Sequence, residues 1–202
     1  MRIAYLAACS GDMYCGSCLQ SNTLVRALRA SGEDALLVPM YTPLRADEPI
    51  AGREEIAFGG VNVYLQQASP IFGFMPATFE RWLDRPGLLR WLGRRAGSTR
   101  PETLGPLTLS MLQGENGRQR KELDKLVEVM RREVQPEVIH LANVLLVGVA
   151  DRLGRELGVP VVASLAGEDG FLDRIPSPYG ELCRRELSAR CARLDALVAM
   201  NH

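Results

Sequence analysis

Residues 136–165 read PEVIHLANVLLVGVADRLGRELGVPVVASL. The run 138–141 is short and mostly apolar, as a strand requires. Behind it Leu145, Leu146, Val149, Leu153 and Leu157 recur at helical spacing, which places them on one face of a helix over 144–157. Gly158 and Pro160 stop that helix, because glycine accepts the left-handed cap conformation and proline cannot continue the hydrogen-bond ladder. The run 161–165 is again short and apolar, with two adjacent valines, which favours a second strand.

The same alternation extends outward from this stretch. Towards the amino end, 2–8 reads as a strand and 17–30 as a helix, with Ser17 as N-cap and Ser31-Gly32 as its stop. Cys18, Leu24, Val25 and Leu28 line the face that packs on a sheet. A strand over 35–40 completes a βαβ unit, which joins parallel strands by a right-handed crossover. Towards the carboxyl end, 179–193 reads as a helix and 197–200 as a strand. Strands alternating with helices predict an α/β fold: a doubly wound, mostly parallel sheet with helices on both faces.

The middle of the chain departs from this pattern. Residues 56–58 and 61–66 flank Gly59-Gly60, which reads as a hairpin or a bulged pair. Helices are expected around 76–84 and 87–95. A single long, charged helix is expected over 110–132, its apolar face carried by Leu123, Leu126, Val127 and Met130. The whole, 1–202, reads as one domain with a variable helical insertion near 70–132.

Composition narrows the functions open to such a fold. The chain has 202 residues, 47% hydrophobic and 24% charged, with 24 basic and 24 acidic side chains and no formal net charge. That balance argues against a surface that coats nucleic acid. Five cysteines, an odd number in a chain too long for a disulfide-stapled module, fit a reduced, cytoplasmic setting. Leu6-Ala7-Ala8-Cys9 has the outline of a lipoprotein cleavage box, but the preceding apolar run falls short of the roughly 7–15 residues of a signal core, and we read it as a buried strand. No run approaches the ~18 apolar residues of a membrane span. From Arg81 to Arg100 six arginines and one aspartate interleave with Trp82, Leu88, Leu89 and Trp91. That composition suits peripheral contact with the inner face of an anionic membrane, or equally a solvated helix pair.

In a parallel sheet, the loops that follow strands gather at one edge, where such folds bind ligands. Three polar patches follow strands here. In the first, Gly11, Tyr14, Gly16 and Ser17 lead into a helix whose N–H groups favour an anion, and glycine allows close approach. The spacing is neither the dinucleotide fingerprint nor a Walker loop. Cys15-Gly16-Ser17-Cys18 also forms a C-x-x-C at a helix start, open to a thiol role; further ligands for a metal are missing. In the second patch, His140 could donate to a sugar hydroxyl, act as a base, or simply bond within its turn. Asn143 suits an N-cap. In the third, Glu168 and Asp169 could orient hydroxyls or serve as bases, or could shape a turn and cap a helix.

These stretches resemble the N-terminal half of a family 4 (group 1) GT-B glycosyltransferase. Residues 1–28, the quoted 136–165, Gly167-Glu168-Asp169 and the sequence RRELSARCARLDALVAM at 184–200 carry the likeness. It implies a Rossmann-like, acceptor-side domain of a retaining transferase, with a C-terminal donor-binding domain outside this chain. The implied substrates are a nucleotide-sugar and an acceptor glycan, lipid or small molecule, with no cofactor and no metal. By this resemblance Gly11, Tyr14, Gly16 and Ser17 lie near the donor phosphates, and His140, Asn143, Glu168 and Asp169 face the sugar or acceptor. Ala142 and Ala166 stand where the family often carries histidine. The competing reading is a stand-alone ligand-binding or thiol-regulated module.

Overall fold

The structure, a computed structural model, describes residues 1–8, 16–41, 49–52, 58–59 and 101–199. Its strands are β1 (Arg2–Ala8), β2 (Asp34–Tyr41), β3 (Phe58–Gly59), β4 (Val138–Leu141), β5 (Val161–Leu165) and β6 (Ala196–Ala199). They form one sheet in the order β3-β2-β1-β4-β5-β6, and every pairing is parallel. The helices are α1 (Gly16–Ala30), α2 (Pro101–Leu112), α3 (Arg120–Val129), α4 (Ala150–Leu157), α5 (Asp169–Leu172) and α6 (Tyr179–Cys191). This strand order defines a Rossmann-like, doubly wound fold.

Handedness explains how the helices are distributed. The step from β1 to β2 runs towards one edge of the sheet, and the step from β4 to β5 runs towards the other. Right-handed crossovers then put α1 and α4 on opposite faces. Side-chain alternation along β1 agrees. Ile3, Tyr5 and Ala7 pack with Cys18 and Val25 of α1, whereas Ala4 and Leu6 share a core with Leu112, Leu126, Leu153 and Cys183. Arg190, 5% exposed, ties the face opposite α1 together. Its guanidinium donates to Glu186 at 2.7 Å, to Asp151 at 2.9 Å and to the Gln113 carbonyl at 2.8 Å. A buried guanidinium is tolerated there because all of its nitrogens are engaged.

The quoted stretch folds as read, with one refinement. Val144–Val149 is a 3-10 helix and only Ala150–Leu157 is α-helical. Gly158 takes φ +69 and closes it.

Two expectations are corrected. No single helix spans 110–132. The chain forms α2, a short 3-10 turn (Gly114–Asn116), α3, and a π turn (Met130–Val134) that ends at Gln135 in the left-handed region. Gly114 forces the break: its φ is +57, and a Cβ there would sit 1.9 Å from the carbonyl oxygen of Gly148. The backbones of these two glycines pass too closely for any side chain. Gly59, read as part of a hairpin or a bulged pair, instead lies in β3, pairing with Tyr41 of β2 in parallel. Residues 61–66 and the helices expected at 76–84 and 87–95 lie outside the described residues.

Candidate functional site

β1, β4 and β5 are parallel neighbours, so the segments that follow them leave the same edge of the sheet. β1 and β4 also flank the switch point, where the connections diverge and a crevice opens. Gly11, Tyr14 and Cys15 lie outside the described residues. Gly16 and Ser17 open α1 and are exposed. A Cβ on Gly16 would meet nothing within 4 Å, so the backbone there is open to approach. The first turn of α1 carries no acidic side chain, and the dipole of a helix N-terminus favours an anion.

The loops after β4 and β5 are joined by one side chain. Glu168 accepts from the backbone N–H of Val144 at 3.0 Å through Oε1, and from that of Ala166 at 2.9 Å through Oε2. Both carboxylate oxygens are thus engaged with backbone, and Glu168 shapes the rim. Asn143 caps the following 3-10 helix, its Oδ1 accepting from Leu145 N–H at 3.1 Å. Gly167 adopts φ +81, the turn conformation that glycine allows. Asp169 is exposed at the start of α5.

His140 lies lower than these loops. It pairs in register with Tyr5 of β1 and Val162 of β5, inside β4 and on the α1 face of the sheet. Its Nε2 is 2.8 Å from Ser164 Oγ, and its ring packs against Tyr5 with centroids 4.8 Å apart and planes inclined by 53°. Burial holds the imidazole below its ordinary pKa of 6.5. Burial also raises the Tyr5 phenol, an effect opposed by hydrogen bonds with the Ser21 and Ser164 hydroxyls. The predicted residues therefore divide into two levels. Gly16, Ser17, Asn143, Glu168 and Asp169 belong to the rim, and His140 sits beneath it in a cluster with Tyr5, Ser21 and Ser164.

Sequence reasoning missed the last three. Ser164 was legible as a lone hydroxyl inside the apolar strand 161–165. Ser21 was legible as a polar residue on the inward face of α1, four positions after Ser17.

Among the described residues, Cys18 is 1% exposed and lies in the core beneath α1; Cys9 and Cys15 lie outside the described residues. Burial raises the thiols of Cys183 and Cys191, with the charge of Glu168 adding to the rise at Cys191. Among the described residues no group of three His, Cys, Asp or Glu side chains is placed to hold a metal, and no helix is long and apolar enough to cross a membrane. The stretch from Arg81 to Arg100 lies outside the described residues. At the opposite edge, where β5 begins, a groove is lined by Glu115, Asp151, Arg155, Arg193 and Asp195. Four of these charges pair with one another: Arg155 with Glu115 at 2.8 Å, and Arg193 with Asp151 at 2.9 Å.

Comparison with protein-family models, with curated proteins and with solved structures gives no match to this chain.

Proposed function

We propose that this chain is the acceptor-binding domain of a retaining glycosyltransferase, which moves a sugar from a nucleotide-sugar to an acceptor hydroxyl. The observation that carries the reading is the switch point between β1 and β4, with the start of α1 and the loops after β4 and β5 around it. Open α/β sheets bind ligands at that place. In this reading the N–H groups of Gly16 and Ser17 approach the donor diphosphate. Asn143 and Asp169 border the acceptor, and His140 meets the sugar. Glu168 holds the two loops at a fixed separation. Stabilisation of the leaving diphosphate by fixed dipoles supplies the main electrostatic contribution. A second domain would hold most of the donor, so this chain alone is expected to bind weakly and not to turn over.

Amide-resolved NMR titration with nucleoside diphosphates, nucleotide-sugars and simple glycosides tests the reading. Expected are shifts at Gly16, Ser17, Asn143 and Gly167 at about millimolar ligand. Shifts confined to the groove at Glu115, Arg155 and Arg193, or none at all, would overturn it.

A further inference from the structure

We infer that the junction of α2 and α3 is a binding site for one buried water, held between the side-chain amide of Gln119 and the main chain of Gly114. Two independent observations meet there. Gln119 is 3% exposed, and among the described residues its Nε2 is buried with no hydrogen-bond partner. Gln119 also lines a cavity of about 10 Å³, together with Tyr41, Gly114, Leu123, Leu146 and Val149.

The other end of the amide is already committed. Ser110 Oγ accepts from the Arg118 N–H at 2.8 Å and donates to Gln119 Oε1 at 3.1 Å. That leaves Nε2 with two protons to donate and no protein acceptor. Turned over, the amide would put Oε1 in the same place, and that atom would need a donor. Water serves either one. Buried polar groups are rarely left without a partner, and ordered water commonly fills that role where no protein group reaches.

Size and chemistry select the ligand. A water needs roughly 10–15 Å³ on the same scale, so the cavity takes one and nothing larger. The Nε2 donor repels a cation. Gly114 has no side chain, so it meets the cavity with main chain alone and offers the water a second polar anchor. The turn cannot shift to reach Gln119 directly, because Gly114 is fixed by its close pass against the carbonyl of Gly148. The site lies at the carboxyl end of β2, which Tyr41 closes at φ +69. It does not depend on the transferase reading.

Two measurements on the intact chain test the proposal. A crystal structure at a resolution that shows ordered water should place one within hydrogen-bond distance of the Gln119 amide and the Gly114 main chain. In solution, Val149→Ile adds one methylene at the cavity wall. In the wild-type background it should displace the water and strand the amide, lowering the folding equilibrium constant about tenfold in urea unfolding. In a Gln119→Met background no polar atom needs the water, and the same methylene should change that constant far less. A dry cavity in the crystal, a Gln119 amide bonded to another protein group, or equal losses from Val149→Ile in both backgrounds would each overturn the proposal. If Gln119→Met does not fold, the crystal structure decides alone.

Discussion

On one face of the sheet, Ala4, Leu6, Ile139, Leu141 and Ala163 lie in a large apolar core shared with α2, α3 and α4. On the other, Ile3, Tyr5 and Ala7 lie beneath α1 in a smaller one, and the same face carries His140 and Ser164 towards β5. The first face holds its buried guanidinium, Arg190, with all three nitrogens engaged. The second accommodates a string of hydroxyls and an imidazole across its central strands. Dense apolar packing gives polar atoms no partners, and an unpartnered buried polar group costs about 1–3 kcal/mol. A polar array therefore persists in a sheet only where its members satisfy one another. The face with the smaller apolar core is the one that carries His140 and its neighbour Ser164.

The contrast can be broken first in the large core. Leu141→Ala should cost about 4 kcal/mol through lost burial and a residual cavity. Val25→Ala, beneath α1, removes fewer atoms and should cost about 2 kcal/mol. Urea unfolding of both variants checks this, and equal losses would erase the difference between the faces. Arg190→Met comes next. It leaves Asp151 and Glu186 without their shared partner, and a loss of about 3 kcal/mol is expected by the same measurement.

A smaller effect is expected at the rim. Glu168→Ala frees the N–H groups of Val144 and Ala166 and should cost about 2 kcal/mol. Hydrogen exchange should speed up at those two amides while the β1 amides stay protected. Asn143→Ala removes a single cap bond, for about 1 kcal/mol, with faster exchange confined to Leu145. Uniform loss of protection across the sheet in Glu168→Ala would show that the tie is not local.

The smallest effect is the pH dependence of the second face. Because burial lowers the His140 pKa, the unfolded chain binds more protons than the folded one between the folded value and 6.5. Stability should therefore be full above about pH 6.5 and should fall as pH drops through that window. His140→Asn should flatten this part of the stability profile. An unchanged slope would place its origin in another group.

Much of the fold was legible because the signals were local. β1 and β5 fall where the apolar runs 2–8 and 161–165 place them. Asn143 caps its helix as its type and position suggest. The break at Gly114 was not legible, since it depends on Gly148, a residue distant in the chain that touches it only in the folded state. Glu168 follows β5, as the apolar run 161–165 implies, but its hydrogen bonds come from two different loops. No local pattern distinguishes that tie from a free carboxylate.

What the amino-acid sequence determined by itself was the alternation of strands and helices, and with it a parallel, doubly wound sheet. Periodicity, caps and chain handedness act over a few residues and need no tertiary partner. Only the tertiary structure decided which apolar strand would be an edge: Leu197 and Val198 of β6 are 45% and 41% exposed, while Val161 of β5 is 3% exposed. It also decided that Tyr5, Ser21, His140 and Ser164 would meet. They come from four separate elements, and no spacing along the chain records which hydroxyl lies beside which ring.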